Sequence, residues 1–274
     1  MKKLALIGTG NMGAALARAA CRSVAPEQVL LYNRTGEKAR ALAQETGAVW
    51  AETAETAVLA ADYVMLCMKP QGFDAAVAEL VPALEKARAA GRDQVVVSIA
   101  AGVSIERVER LLEKGGVPLP VIRVMPNTPA AVGQGVLLTA PGADVTQAAY
   151  DGFAAFMADG GTVERVTEQG LEMGTALSGC GPAFVYLFIE ALADGGVEIG
   201  LPRAQAQRYA AQTVLGAAEM VLKTGIHPGA LKDAVCSPGG STIAGVAELE
   251  KRAFRAAAAQ AVAASWKKTC DMGK

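Results

Sequence analysis

Short aliphatic runs separated by alanine-rich stretches fill the first half of the chain and then stop, and this change of rhythm limits the fold more than any single motif. Residues 4–7, 29–32, 48–50, 63–68, 95–99 and 121–124 read as strands, and 11–24, 37–45 and 73–90 suit the helices between them. Aliphatic runs of this kind belong to a parallel sheet covered on both faces. Two more strands, 135–139 and 162–166, flank a helix at 145–157. From about Thr167 onward no strand is expected, and helices are predicted at 167–177, 182–196, 203–224, 228–235 and 241–266. The expected architecture is therefore α/β, a doubly wound and mostly parallel sheet over 1–164, followed by an all-α domain over 165–274.

The helix at 203–224 places Tyr209, Val214, Leu215, Met220, Val221 and Leu222 around most of its circumference. A helix apolar on nearly all sides must be buried on several of them. Roughly a hundred residues of helix offer little core of their own, so burial against a second copy is expected, with self-association through the C-terminal helices. Burial beneath the other helices of the same chain is the alternative.

Composition narrows the function classes. A net charge of −1 gives no basic field for nucleic acid. Five cysteines without a CxxC pair and a single histidine argue against a disulfide framework or a metal site, so no metal is expected and the cytoplasm is the expected compartment. The opening MKKLALIGTG resembles a secretory leader, but its apolar run ends at Gly8. The later apolar run 183–193 contains Glu190 and is short for a bilayer, so no membrane partner is expected.

Between the first strand and the first helix lies GTGNMG, Gly8 to Gly13. This G-x-G-x-x-G spacing, in a strand–turn–helix setting, is the fingerprint of a Rossmann-type dinucleotide site, and Ile7, Gly8, Thr9, Gly10, Asn11, Met12 and Gly13 are its candidate residues. At the end of the second strand, where an NAD site carries an acid on the ribose, the chain has Asn33-Arg34-Thr35. A guanidinium and two polar side chains suit the 2′-phosphate of NADPH, with NADH as a weaker alternative. Three later segments fall at strand carboxyl ends, where ligands of open α/β sheets bind: Cys67-Met68-Lys69-Pro70, the pair Ala100-Ala101, and Met125-Pro126-Asn127.

A second donor-rich loop, SPGGSTIAGV, spans Ser237 to Val246. The backbone N–H groups of Gly240, Ser241 and Thr242 would open a helix there, a natural anion site. Gly239 and Gly240 would leave room for a carboxylate. The residues alone leave a plain capping turn open, since Ser and Thr are favoured caps.

GTGNMG, MKP, AAGVSIERVE, RVMPNTPA, SGCGPAFVYLFIEALADGGVEIGLPR and SPGGSTIAGV together resemble the pyrroline-5-carboxylate reductase family, in the family's order and across nearly the whole chain. The resemblance implies a Rossmann domain, a helical dimerisation domain, and dimers often assembled into rings. It also implies reduction of a cyclic imine, 1-pyrroline-5-carboxylate, to L-proline by hydride from NAD(P)H. By the same resemblance Ser237, Gly239, Gly240, Ser241 and Thr242 bind the substrate, Thr242 is the catalytic candidate near the ring nitrogen, and Glu168 lies near the substrate ring. Cys180 stands where the family usually has serine. Another NADP-dependent imine or 3-hydroxy-acid reductase with the same two-domain plan is the enzyme alternative; the hydroxy-acid enzymes generally rely on a lysine in the helical domain, and no lysine occurs between Thr167 and Gly200. A non-catalytic NADP sensor is the other alternative, and the second anion loop counts against it. His227, in Ile226-His227-Pro228-Gly229, is expected to serve a turn or helix terminus rather than the chemistry.

Overall fold

The computed structural model describes residues 1–272. Eight strands form one sheet: β1 (Leu4–Ile7), β2 (Val29–Tyr32), β3 (Val49–Trp50), β4 (Tyr63–Leu66), β5 (Val95–Ser98), β6 (Val121–Met125), β7 (Gly135–Pro141) and β8 (Gly161–Arg165). Their order is β3-β2-β1-β4-β5-β6-β7-β8, parallel except for the β6–β7 pair. Six helices alternate with them: α1 (Asn11–Ser23), α2 (Gly36–Thr46), α3 (Ala54–Ala60), α4 (Phe73–Ala89), α5 (Ile105–Lys114) and α6 (Gln147–Met157). α3 and α5 are held at their starts by hydroxyl caps, Thr53 accepting from the Thr56 N–H and Ser104 from the Arg107 N–H.

Alternation along each strand feeds two cores. Leu4 and Leu6 face one layer with Leu31, Met65, Val97 and Ile122, while Ala5 and Ile7 face the other with Val64, Leu66 and Val96. The expected doubly wound sheet is thus observed. Its N-terminal apolar run, Leu4–Ile7, is a buried central strand. Strands expected to reach residues 68 and 99 end at Leu66 and Ser98 because the chain peels away there. The Cys67 N–H still donates to Ile7, and the Ile99 N–H to Leu66 only at 3.4 Å.

The helical half comprises α7 (Glu168–Ser178), α8 (Gly181–Glu198), α9 (Arg203–Thr224), α10 (Pro228–Ala234), α11 (Ser241–Lys251) and α12 (Phe254–Met272). The single helix expected over 241–266 is two, because Ala253 adopts a left-handed backbone (φ 57°) between them. By packing, the chain divides into one compact unit of residues 1–180 with the stretch that starts at Trp266, and a second of residues 181–265. The break in packing falls after Cys180, because α7 lies on the sheet. Leu171 is fully buried against Leu138 and Ala140, and a β-carbon on Gly174 would sit 2.4 Å from Leu138.

The 181–265 unit has almost no interior. Its buried apolar residues are Ala193, Ala206 and Ala210, with Ile189, Val197 and Leu201 beside them, while Tyr186, Leu187, Tyr209, Leu215, Met220 and Leu222 are exposed. Burial beneath helices of the same chain therefore does not account for α9. The helical stretch Glu168–Glu198, interrupted by a turn at Gly179 and Cys180, is also long and apolar enough to cross a membrane by length and composition alone, unlike the shorter run 183–193.

Candidate active site

The strand order reverses between β1 and β4, and the glycine loop sits at that switch point. Each glycine has its own reason. Gly8 has φ +110°, and a β-carbon there would meet the Cys67 carbonyl oxygen at 2.8 Å; its N–H donates to the Tyr32 carbonyl at 2.8 Å. A β-carbon on Gly13 would fall 2.1 Å from the Gly8 carbonyl oxygen, so α1 can approach β1 only with glycine at this position. Around Gly10, by contrast, nothing lies within 4 Å of where a β-carbon would be, which leaves that side open to a ligand. Gly10 begins α1 with no side-chain cap, and the first turn carries no acid. The first N–H groups of the helix and its positive end are thereby free for a phosphate.

Thr9 is 6% exposed, and its hydroxyl is buried with no partner among the described residues. An unpaired buried hydroxyl costs about 1–3 kcal/mol, and here it lies inside the glycine loop. The open Gly10, the uncapped α1 and this orphan hydroxyl fit a dinucleotide diphosphate.

Asn33 has a different task from the one expected. Its Oδ1 accepts the Thr9 N–H at 3.0 Å and its Nδ2 donates to the Thr35 carbonyl at 3.1 Å, so the amide ties the β1 and β2 loops together instead of reaching outward. Arg34 and Thr35 stay exposed, and Arg34 forms no ion pair among the described residues. Cys67 lies beneath the glycines, with its β-carbon 3.1 Å from where one on Gly13 would be. Burial pushes its thiol far above the usual range and keeps it protonated. Met68 and Pro70 are half-buried beside it, and Lys69 is exposed.

Ala100 is buried and Ala101 half-buried in the loop before α5. Met125 ends β6, followed by buried Pro126 and Asn127. The Asn127 side chain is structural: Oδ1 accepts from the Val136 N–H and Nδ2 donates to the Ser178 carbonyl, both at 2.9 Å.

Glu168 lies in the same unit as the sheet. Its Oε1 accepts from Arg123 Nη1 at 2.7 Å and from the Ile105 N–H at 2.8 Å, while Glu172 Oε1 takes the same Nη1 at 3.0 Å. Arg123, 2% exposed, was not singled out by sequence, although an arginine in the apolar strand VIRVM is a signal in itself. Only the guanidinium is buried; both carboxylates are about one-third exposed, so solvent screens the pair, and Glu172 remains if Glu168 is lost.

In the 181–265 unit, the second loop also departs from expectation. The Gly240 N–H donates to the Ser237 carbonyl at 3.0 Å, so the free donors at the start of α11 are those of Ser241, Thr242 and Ile243. A β-carbon on Gly240 would lie 2.4 Å from the rotatable Ser237 Oγ, whereas Gly239 (φ +69°) faces open space. Ser237, Ser241 and Thr242 are exposed, and no acid occupies the first turn of α11. His227 caps α10, its Nδ1 accepting the Gly229 N–H at 3.0 Å, in the helix-terminus role expected of it.

A glycine loop at the switch point of a mostly parallel sheet, followed by an all-helical second half, defines a Rossmann-type dinucleotide-binding protein with an appended helical region. Residues 3–102 match a family described as NADP oxidoreductase, coenzyme F420-dependent, and residues 168–272 match pyrroline-5-carboxylate reductase dimerisation. The chain is 40% identical over 275 residues to pyrroline-5-carboxylate reductase of Escherichia coli (strain K12), covering 100% of this chain and 99% of that one. It is 41% identical to that of Arabidopsis thaliana, covering 99% and 96%. The crystal structure of the Plasmodium falciparum pyrroline carboxylate reductase with NADP bound superposes with a TM-score of 0.85 at 30% identity, covering 100% of this chain and 98% of that one. The chain belongs to the pyrroline-5-carboxylate reductase family.

Proposed function

We propose that this protein reduces 1-pyrroline-5-carboxylate to L-proline with NADPH, working as a dimer whose helical halves bury one another. The observation that carries the reading is 40% identity over 275 residues, which covers 100% of this chain and 99% of its relative. NADPH, when bound, supplies the hydride; what the protein adds is positioning and exclusion of water. The open face at Gly10 and the uncapped α1 take the diphosphate. Arg34 and Thr35 take the 2′-phosphate, and NADH, lacking it, is the weaker cofactor.

The substrate's carboxylate suits the α11 start, where the N–H groups of Ser241, Thr242 and Ile243 and the open Gly239 present donors without an opposing charge. Ser237 and Gly240 shape that tip. Thr242 is the residue proposed to hydrogen-bond the ring nitrogen; its hydroxyl is too weak an acid to protonate an imine unaided, so it orients the ring or relays a proton from water.

The exposed faces of α8 and α9 favour a second copy over a membrane, since Arg203 and Asp194 form an ion pair and Glu190 and Glu219 also lie along these helices. Assembly of dimers into a larger ring is part of this reading, as is residence in the cytoplasm, which five free cysteines suit. The decisive experiment incubates purified protein with the pyrroline carboxylate and each reduced cofactor, following loss of nicotinamide absorbance. Proline formation with NADPH supports the reading, and absence of turnover with both cofactors overturns it.

A further inference from the structure

Arg123 joins two loops at the carboxyl edge of the sheet, those after β5 and β6, where ligands of open α/β sheets bind. In register it lies between Ser98 of β5 and Ala140 of β7. Its Nη1 reaches Glu168 and Glu172, one helical turn apart on α7, and Glu168 Oε1 also accepts the first N–H of α5, at Ile105. Ile105 directly follows the loop holding Ala100 and Ala101, and Arg123 stands two residues before Met125-Pro126-Asn127. At the other end of α7, Asn127 holds the Ser178 carbonyl. α7 is therefore fastened at both ends to the carboxyl edge of the sheet.

We infer that Arg123 and Glu168 are positioning residues of the reductase: their ion pair sets the loops after β5 and β6 so that the nicotinamide is held at reacting distance, and neither touches the substrate. The inference rests on the reading of function above. A carboxylate meant for an iminium ring would be expected to keep its oxygens open. Glu168 Oε1 instead serves a buried guanidinium and a backbone N–H. The pair also explains why a charged residue is tolerated in a strand otherwise wholly apolar, because α7 supplies two carboxylates to it.

The test compares wild type with Arg123→Met, Arg123→Lys, Glu168→Ala, Glu168→Gln and the double variant Arg123→Met/Glu168→Ala. Readouts are kcat, KM for the pyrroline carboxylate, NADPH affinity by fluorescence titration, and oligomeric mass. Misplacement by about 1 Å costs on the order of 10²-fold in rate. Glu168→Ala should therefore lose kcat on that order with the substrate KM unchanged and the assembly intact. Glu168→Gln, which keeps an acceptor for the Ile105 N–H, should lose less, and the double variant no more than the worse single one. A raised substrate KM with intact kcat in Glu168→Ala would make Glu168 a substrate contact and overturn the inference, as would losses that multiply in the double variant. Should the Arg123 variants fail to fold, the Glu168 pair decides, since that carboxylate is one-third exposed. A wild type that neither binds NADPH nor turns over faults the reading of function; an active wild type matched by Glu168→Ala faults this inference alone.

Discussion

A β-carbon on Gly13 would stand 2.1 Å from the carbonyl oxygen of Gly8, while one on Gly10 would meet nothing within 4 Å. The two glycines of one motif therefore answer to different masters, the fold and the ligand. Gly13→Ala forces α1 off β1. Overpacking of this kind costs about 1–3 kcal/mol, so both the melting temperature and NADPH affinity should fall. Gly10→Ala should melt like wild type yet bind NADPH roughly ten- to a hundredfold more weakly, if the lost contacts amount to about 1.4–2.8 kcal/mol. Calorimetry beside a fluorescence titration separates them. Unaltered NADPH affinity in Gly10→Ala would show that the diphosphate does not lie there.

Arg34 is exposed and unpaired among the described residues, whereas Asn33 is turned inward onto Thr9 and Thr35. Of the two, only the arginine is exposed, as the proposed contact with a 2′-phosphate requires. A charge-assisted contact is worth about 1.5–3 kcal/mol, so Arg34→Ala should raise the NADPH Kd by roughly one to two orders of magnitude and leave NADH nearly unchanged. Equal losses for both cofactors would remove the assignment. Asn33→Ala should instead weaken both, because it frees the glycine loop itself.

Thr242 lies in the first turn of α11 with its hydroxyl exposed, in a turn that lacks any acid. If that hydroxyl works on the ring nitrogen, Thr242→Val should lower kcat on the order of 10²-fold with a modest change in KM, and Thr242→Ser should restore most of it. Wild-type kinetics in the valine variant would reduce Thr242 to a helix-start residue.

His227 accepts the Gly229 N–H through Nδ1 and so serves as the local cap of α10. Replacing it by glutamine should leave kcat intact and cost about 1 kcal/mol or less of stability, visible as a small drop in melting temperature. A collapse of kcat in an intact dimer would contradict this.

What was legible in the sequence, and what was not, divides by the range of the interaction. Aliphatic runs and the glycine spacing announced β1, β2, β4, β5 and β6 almost to the residue, because burial on both faces and the tight turn are properties of adjacent residues. The Arg123–Glu168 pair spans 45 positions, and nothing local in Glu168 distinguishes it from a surface helix acid. Asn33 reads as a phosphate ligand because its inward turn depends on where Thr9 lies, 24 residues away. The break at Ala253 lies in Lys251-Arg252-Ala253, which contains neither glycine nor proline to announce it.

The residues 181–265 form a unit whose fully buried apolar residues are three alanines, while Leu187 and Leu222 stand 68% and 83% exposed. Fully burying one leucine is worth about 1.5–3 kcal/mol, so a unit that leaves several such side chains in water lacks what holds a domain together by itself. In the proposed dimer a second copy supplies it, and stability then depends on protein concentration. Because a binding partner stabilises by mass action, a hundredfold rise in concentration adds up to about 2.7 kcal/mol. The melting temperature should therefore climb steadily across such a series, and light scattering should report no stable folded monomer at its dilute end. Leu187→Asp, which puts a charge on the exposed face of α8, should steepen that dependence or abolish soluble dimer. A melting temperature independent of concentration, with monomeric mass throughout, would mean that these helices fold on their own and that the apolar faces serve something other than a second copy.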